Sequence, residues 1–162
     1  MLYALTKLAH IGALIFWIGP ALGSWLVLRR ARLEKGENWP ANGLIYRVFI
    51  STLVIEHIAF VVLLVTGVVL AHSYGWWPAE WLRWKLWLVV AVLIPFEVVD
   101  VYLGNWKLSQ FTRRRAAGVP LSQLDHNLVR FYHGPFTWSA IVVLPVTVFV
   151  ILFLAVAKST TF

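Results

Sequence analysis

Four long apolar blocks divide the sequence, at about residues 2–28, 45–72, 84–103 and 136–157, and none shows the strict alternation of a half-buried strand. At ~1.5 Å per residue, some twenty residues of helix cross the ~30 Å hydrocarbon core of a bilayer. Backbone polar groups inside lipid must find partners within their own segment, so each block is predicted to be a transmembrane helix. The expectation is an all-α, integral membrane, up-down four-helix bundle forming a single domain over residues 1–162. In the third connection Leu121, Leu124, Leu128 and Phe131 recur at helical spacing and predict a short amphipathic helix on the inner membrane surface.

The polar residues between the blocks set the orientation. Arg29, Arg30, Arg32, Lys35 and Arg47 belong to the first connection, and Lys107, Arg113, Arg114, Arg115 and Arg130 to the third; the second holds only Arg83 and Lys85. Ten of fourteen basic residues on one side place loops one and three in the cytoplasm and both termini outside, in a bacterial inner membrane. The net charge of +7 is accounted for by this asymmetry, so nucleic acid is not an expected partner. The second connection, HSYGWWPAEWLRWKLW, is a Trp-rich interfacial belt with Gly75 and Pro78 for its turn. The first block runs straight into LRRAR without a small-residue cleavage site, the pattern of a retained helix rather than a signal peptide.

Composition adds exclusions. With 60% hydrophobic and 13% charged residues the chain is more apolar than a soluble domain, and the absence of cysteine removes disulfides, thiolate metal sites and thiol catalysis. There is no Walker motif, GxGxxG or HExxH, hence no nucleotide or zinc-protease signal.

Candidate chemistry lies inside the blocks. His10 in the first helix shares a face with Ala13, Leu14, Trp17 and Ala21, predicting a pocket of small residues and one large ring. Gly19 and Gly23 form a small-xxx-small pair that predicts a close helix neighbour, Pro20 between them predicts a bend, and a homo-oligomer is among the partners to expect. Near the outer face, Lys85 opens the third block and His72 ends the second; His72 is read as interfacial. Deeper, His57 and Glu97 lie at similar depth, with Asp100 one turn beyond Glu97. Glu56 is expected to point elsewhere, towards Thr52, Ala59, Phe60 and Gly67. Each mid-span carboxylate costs ~2.5–3.5 kcal/mol even on lenient insertion scales, so three of them form either a functional site or a paired interhelical knot. His133 is expected at an exposed interface and His126 in a solvated loop.

Two chemistries suit these groups. Without a thiol, haem b would take imidazole or amine ligands, making His10, His57 and Lys85 the candidate haem and metal ligands. Alternatively Glu56, Glu97, Asp100 and His57 relay protons or hold a cation on a transport path.

The opening K-x-x-H-I and F-W-I-G, carried by Lys7, His10, Ile11, Phe16, Trp17 and Gly19, resembles the first helix of the HemJ-type protoporphyrinogen IX oxidases and is similar to related CopD-like four-helix membrane families. In WLRWKLWLVV, Trp81, Leu82, Lys85 and Leu86 resemble the start of the HemJ-type third helix. The resemblance implies a haem b-binding membrane oxidoreductase with His10 as ligand and Lys85 at the same site, passing electrons between a porphyrin or quinone and the haem. Glu56, His57, Glu97 and Asp100 depart from that signature and the third loop is longer, which points to a cousin of that family. In this reading Glu97, Asp100 and Glu56 take or give the protons of the redox step. The reading from a different class is a small cation- or proton-coupled transporter or metal-resistance protein, and a third is an accessory subunit of a membrane complex.

Overall fold

The computed structural model describes residues 1–35, 44–120 and 122–157; the side chains of residues 21, 31–35, 115 and 116, and the whole of Leu121, lie outside that description. Four helical spans, Leu2–Arg30, Leu44–Ser73, Glu80–Arg114 and Gln123–Ala157, are long and apolar enough to cross a membrane, and no strand occurs among the described residues. The first two spans are single helices, α1 (Leu2–Lys35) and α2 (Leu44–Ser73). The third is composite: α3 (Glu80–Leu88), α4 (Ile94–Asp100) and α5 (Ser109–Ala116) are joined by π-helical segments at Val89–Leu93 and Val101–Leu108. The fourth contains α6 (Gln123–Phe131), a π-helical segment Tyr132–Phe136, and α7 (Thr137–Ala157).

Local chemistry explains the irregular stretches. Pro95 has no N–H and its ring would press on the preceding turn of an α-helix; the chain widens just before it, with Ile94 N–H bonded to the Val89 carbonyl. Gly134 (φ −111°, ψ −105°) and Pro135 break the fourth span, and Thr137 Oγ1 donates at 2.5 Å to the Tyr132 carbonyl across the break. The expected amphipathic helix is present as α6, started by a capping box: Ser122 Oγ accepts from Asp125 N at 3.2 Å and Asp125 Oδ2 from Ser122 N at 3.0 Å. It is not detached from the span, because the kink carries the chain directly into α7. Leu128 packs against the core while Leu124 and Phe131 are exposed.

Two apolar clusters hold the bundle, and both draw on all four spans. One, nearer the basic connections, gathers Trp25, Leu28, Phe49, Leu53, Leu103 and Tyr132; the other gathers Trp17, Phe60, Leu93, Val148 and Ile151. Against the small-xxx-small expectation, a Cβ at Gly19 or Gly23 would meet nothing within 4 Å. The α1 face that does pack carries Ala13, Trp17, Trp25 and Leu28, with Ser24 Oγ bonded to Thr52 Oγ1 of α2 at 2.7 Å. Close approach is instead used at Gly104, where an added Cβ would lie 2.6 Å from the Tyr132 hydroxyl. At the Trp-rich turn Gly75 takes φ +62°, and Trp76 stacks on Tyr74 with centroids 5.1 Å apart.

Candidate functional site: a buried acid and imidazole cluster

Between the two apolar clusters lies the polar layer of the bundle. Glu97, on α4, is 5% exposed, and its Oε1 accepts a 2.6 Å hydrogen bond from Trp17 Nε1 of α1, itself 2% exposed. His57 on α2 turns Nε2 towards the same helix, 3.5 Å from Glu97 Oε2 and 3.3 Å from Asp100 Oδ2, and forms a well-angled hydrogen bond to neither. Its other nitrogen, Nδ1, lies 3.0 Å from Asn105 Nδ2. An amide N–H donated there makes Nδ1 the acceptor and leaves the ring proton on Nε2, facing both carboxyl groups. Tyr132, fully buried below the kink of span four, hydrogen-bonds Asp100 through its hydroxyl. The result is a chain of polar groups, Trp17, Glu97, His57, Asp100 and Tyr132, that crosses all four spans.

Asn105 reaches this layer because of the π-helical segment. It is five residues beyond Asp100, a spacing that a regular α-helix turns away from the Asp100 side but that an i→i+5 turn restores. Sequence reading missed Asn105 and Tyr132, since neither a π segment nor the Tyr132–Gly104 contact has a periodicity signal.

Glu56 keeps a helix direction different from that of His57, as expected, yet meets the same carboxyl groups. It is 8% exposed and lines the same cavity as Glu97 and Asp100, and its Oε2 has no hydrogen-bond partner. Neighbouring residues on a helix point ~100° apart, yet α4 sits in the wedge between the Glu56 and His57 directions, so both sides meet its carboxyl groups. The cavity has a volume of about 120 Å³, is open on one side, and lies between α1 and α7. Trp17, Trp25, Phe49, Phe96, Tyr132 and Phe136 provide aromatic walls, and no Lys or Arg is in its lining. Ile18 and Leu22, 39% and 43% exposed, are apolar rim residues at mid-span, so the opening faces acyl chains. Towards the basic end the two helices are clasped: the Arg29 guanidinium stands 5.5 Å from the Trp25 ring and 4.9 Å from the Trp138 ring.

His10 belongs to a separate place. Its Nδ1 is 2.9 Å from Thr66 Oγ1, its ring lies against Gly67, and half-buried Lys85 is near enough for its charge to act on the imidazole. Thr66 and His57 are nine residues apart on α2, ~13 Å along the axis, so His10 and His57 cannot ligate one metal, contrary to the option that paired them. Among the described residues no group of three or more metal-ligating side chains is assembled. Trp17, expected beside His10, instead serves Glu97. His72 and His126 are exposed. His133 is not at an exposed interface: it is half-buried among Phe49, Tyr46 and Tyr132, at 5.7, 6.3 and 5.1 Å between ring centroids.

Four apolar spans enclosing a mid-depth layer of ionisable groups define an integral membrane protein with a polar interior site. The chain belongs to the family described as predicted integral membrane protein (DUF2269), whose model matches residues 4–159. Comparison with curated proteins and with solved structures gives no match.

Proposed function

We propose that the protein binds a small membrane-dissolved molecule in the cavity between α1 and α7 and couples its binding to proton exchange through Glu97, His57 and Asp100. The observation that carries this reading is the position of the cluster, which forms the polar end of a cavity open to the bilayer rather than a sealed helix contact. A carboxyl group and an imidazole ordinarily titrate near ~4 and ~6.5, close enough to pass a proton between them. Trp17 and Tyr132 hold the two carboxyl groups in place, and Asn105 orients the ring, so the proton on Nε2 has a carboxyl group on either side to which it can pass. The basic connections support an inner-membrane orientation with both termini on the periplasmic side.

The test is photolabelling with a neutral, lipid-partitioning diazirine. The expected result is label on cavity residues such as Phe96 and Phe136 as well as on outward Phe149 and Phe153, with the cavity label lost in Ala140→Trp, which fills the space. Label restricted to the outward residues refutes the reading.

A second reading, haem b at His10, is favoured by the state of that ring. Thr66 Oγ1 gives its own proton to the Val62 carbonyl at 2.7 Å, so it accepts the proton on His10 Nδ1 and leaves the Nε2 lone pair for a metal. His10 would be the axial ligand, Lys85 the candidate second ligand, and the bound haem would supply one-electron chemistry with a quinone or porphyrin as partner. Protein purified from haem-replete cells should show a Soret band that His10→Ala abolishes without loss of fold; a colourless wild type ends this reading.

A further inference from the structure

Resting on the reading of the cavity as a binding site, the balance of its hydrogen-bonding groups narrows what it holds. The donors are already committed: Trp17 Nε1 to Glu97, the Tyr132 hydroxyl to Asp100, and Thr137 Oγ1 to the Tyr132 carbonyl. The acceptors are not. Glu56 Oε2 and Glu97 Oε2 are both buried without a hydrogen-bond partner, and Glu56 is more than nine-tenths buried where it lines the cavity. A ligand that offers only carbonyl oxygens therefore finds no free indole or hydroxyl donor among these groups. One that brings positive charge meets three carboxyl groups, no Lys or Arg in the lining, and six aromatic side chains whose ring faces attract cations, of which Trp25 already faces Arg29.

We propose that the cavity is a binding site for lipophilic organic cations, a quaternary or protonated centre carrying apolar substituents, with Glu56 as the counter-ion and the aromatic walls as the cage. Such molecules concentrate in the bilayer, and the mid-span opening between α1 and α7 admits them sideways. Glu56 Oε2 has no hydrogen-bond partner within the protein because its partner is the ligand. Glu97 and Asp100 on α4, Tyr132 on the fourth span and the adjacent His57 are the other titratable groups around it, and none of them brings a fixed positive charge.

The experiment is equilibrium binding of radiolabelled tetraphenylphosphonium to the full chain in lipid nanodiscs, with decylubiquinone as neutral competitor. Saturable binding at one site per chain is expected, weakened at least ~10-fold in Glu56→Gln, within a few-fold of wild type in Glu56→Asp, lost in Ala140→Trp, and undisturbed by decylubiquinone. Should Glu56→Gln fail to fold, Ala140→Trp still decides, since a site elsewhere would ignore it. Binding that survives in Glu56→Gln or Ala140→Trp overturns the assignment. Absent cation binding together with diazirine label in the cavity overturns the cation class and leaves the cavity reading; absence of both overturns the two together.

Discussion

Replacing Glu97 by Gln separates a proton-exchanging cluster from a structural knot. In the wild type Glu97 Oε1 accepts the 2.6 Å bond from Trp17, and an amide oxygen in the same place still accepts it. Hydrogen bonds to a charged group contribute about 1.5–3 kcal/mol and neutral ones about 0.5–1.5, so the exchange costs about 1 kcal/mol, and interhelical bonds in membranes average nearer ~0.6. On the side of His57, the amide N–H₂ would face Nε2 at about the distance Oε2 does, 3.5 Å, where neither atom makes a well-angled bond to begin with. A loss of ~1 kcal/mol in a chain of this size lowers Tm by ~2–4 °C. The chemical effect is different in kind, because the amide cannot take or release the proton. Infrared titration of nanodisc samples, run with thermal denaturation on the same preparation, should show a carboxylic-acid carbonyl band vanish and the imidazole ring modes of His57 titrate at a changed pH, with Tm nearly kept. A fall of ~10 °C or more with the imidazole titration unmoved would refute the proton-exchange reading and leave Glu97 as a packing element.

Three further outcomes follow from particular contacts. Gly104→Ala places a Cβ 2.6 Å from the Tyr132 hydroxyl and 3.0 Å from Leu53 Cδ1, and should destabilise by ~1–3 kcal/mol; adding Tyr132→Phe should recover part of it, and an unchanged melting curve for the single variant would contradict the packing. Asn105→Leu removes the partner of His57 Nδ1, so ¹⁵N spectra of the ring should show a shifted tautomer balance, whereas an identical spectrum would take Asn105 out of the site. Reporter fusions after Lys35 or Arg114 should score cytoplasmic and one after Tyr74 periplasmic, and the reverse pattern would invert the orientation given by the basic connections.

What the sequence alone determined is what depends on length, polarity and depth. Four spans follow from apolar blocks that no soluble core needs, and the meeting of His57 with Glu97 and Asp100 follows because antiparallel helices bring residues equally far from one face to the same level. Direction around the helix axis was another matter. Whether Glu56 faced the acids depended on where α4 lodged against α2, and whether Asn105 did depended on a π-helical widening that has no repeat in the sequence. Trp17 went to Glu97 rather than to His10 because a buried indole N–H requires an acceptor and the carboxylate lies within its reach, while the His10 ring is held against Thr66 and Gly67. Gly19 and Gly23 carried a packing signature that no described residue of this chain packs against, since the bulky face of α1 is the one turned inward. The cavity itself is visible only in three dimensions: it exists because α1 and α7 are clasped at Arg29 and stand apart above it, a spacing set by tertiary contacts between residues more than a hundred positions apart.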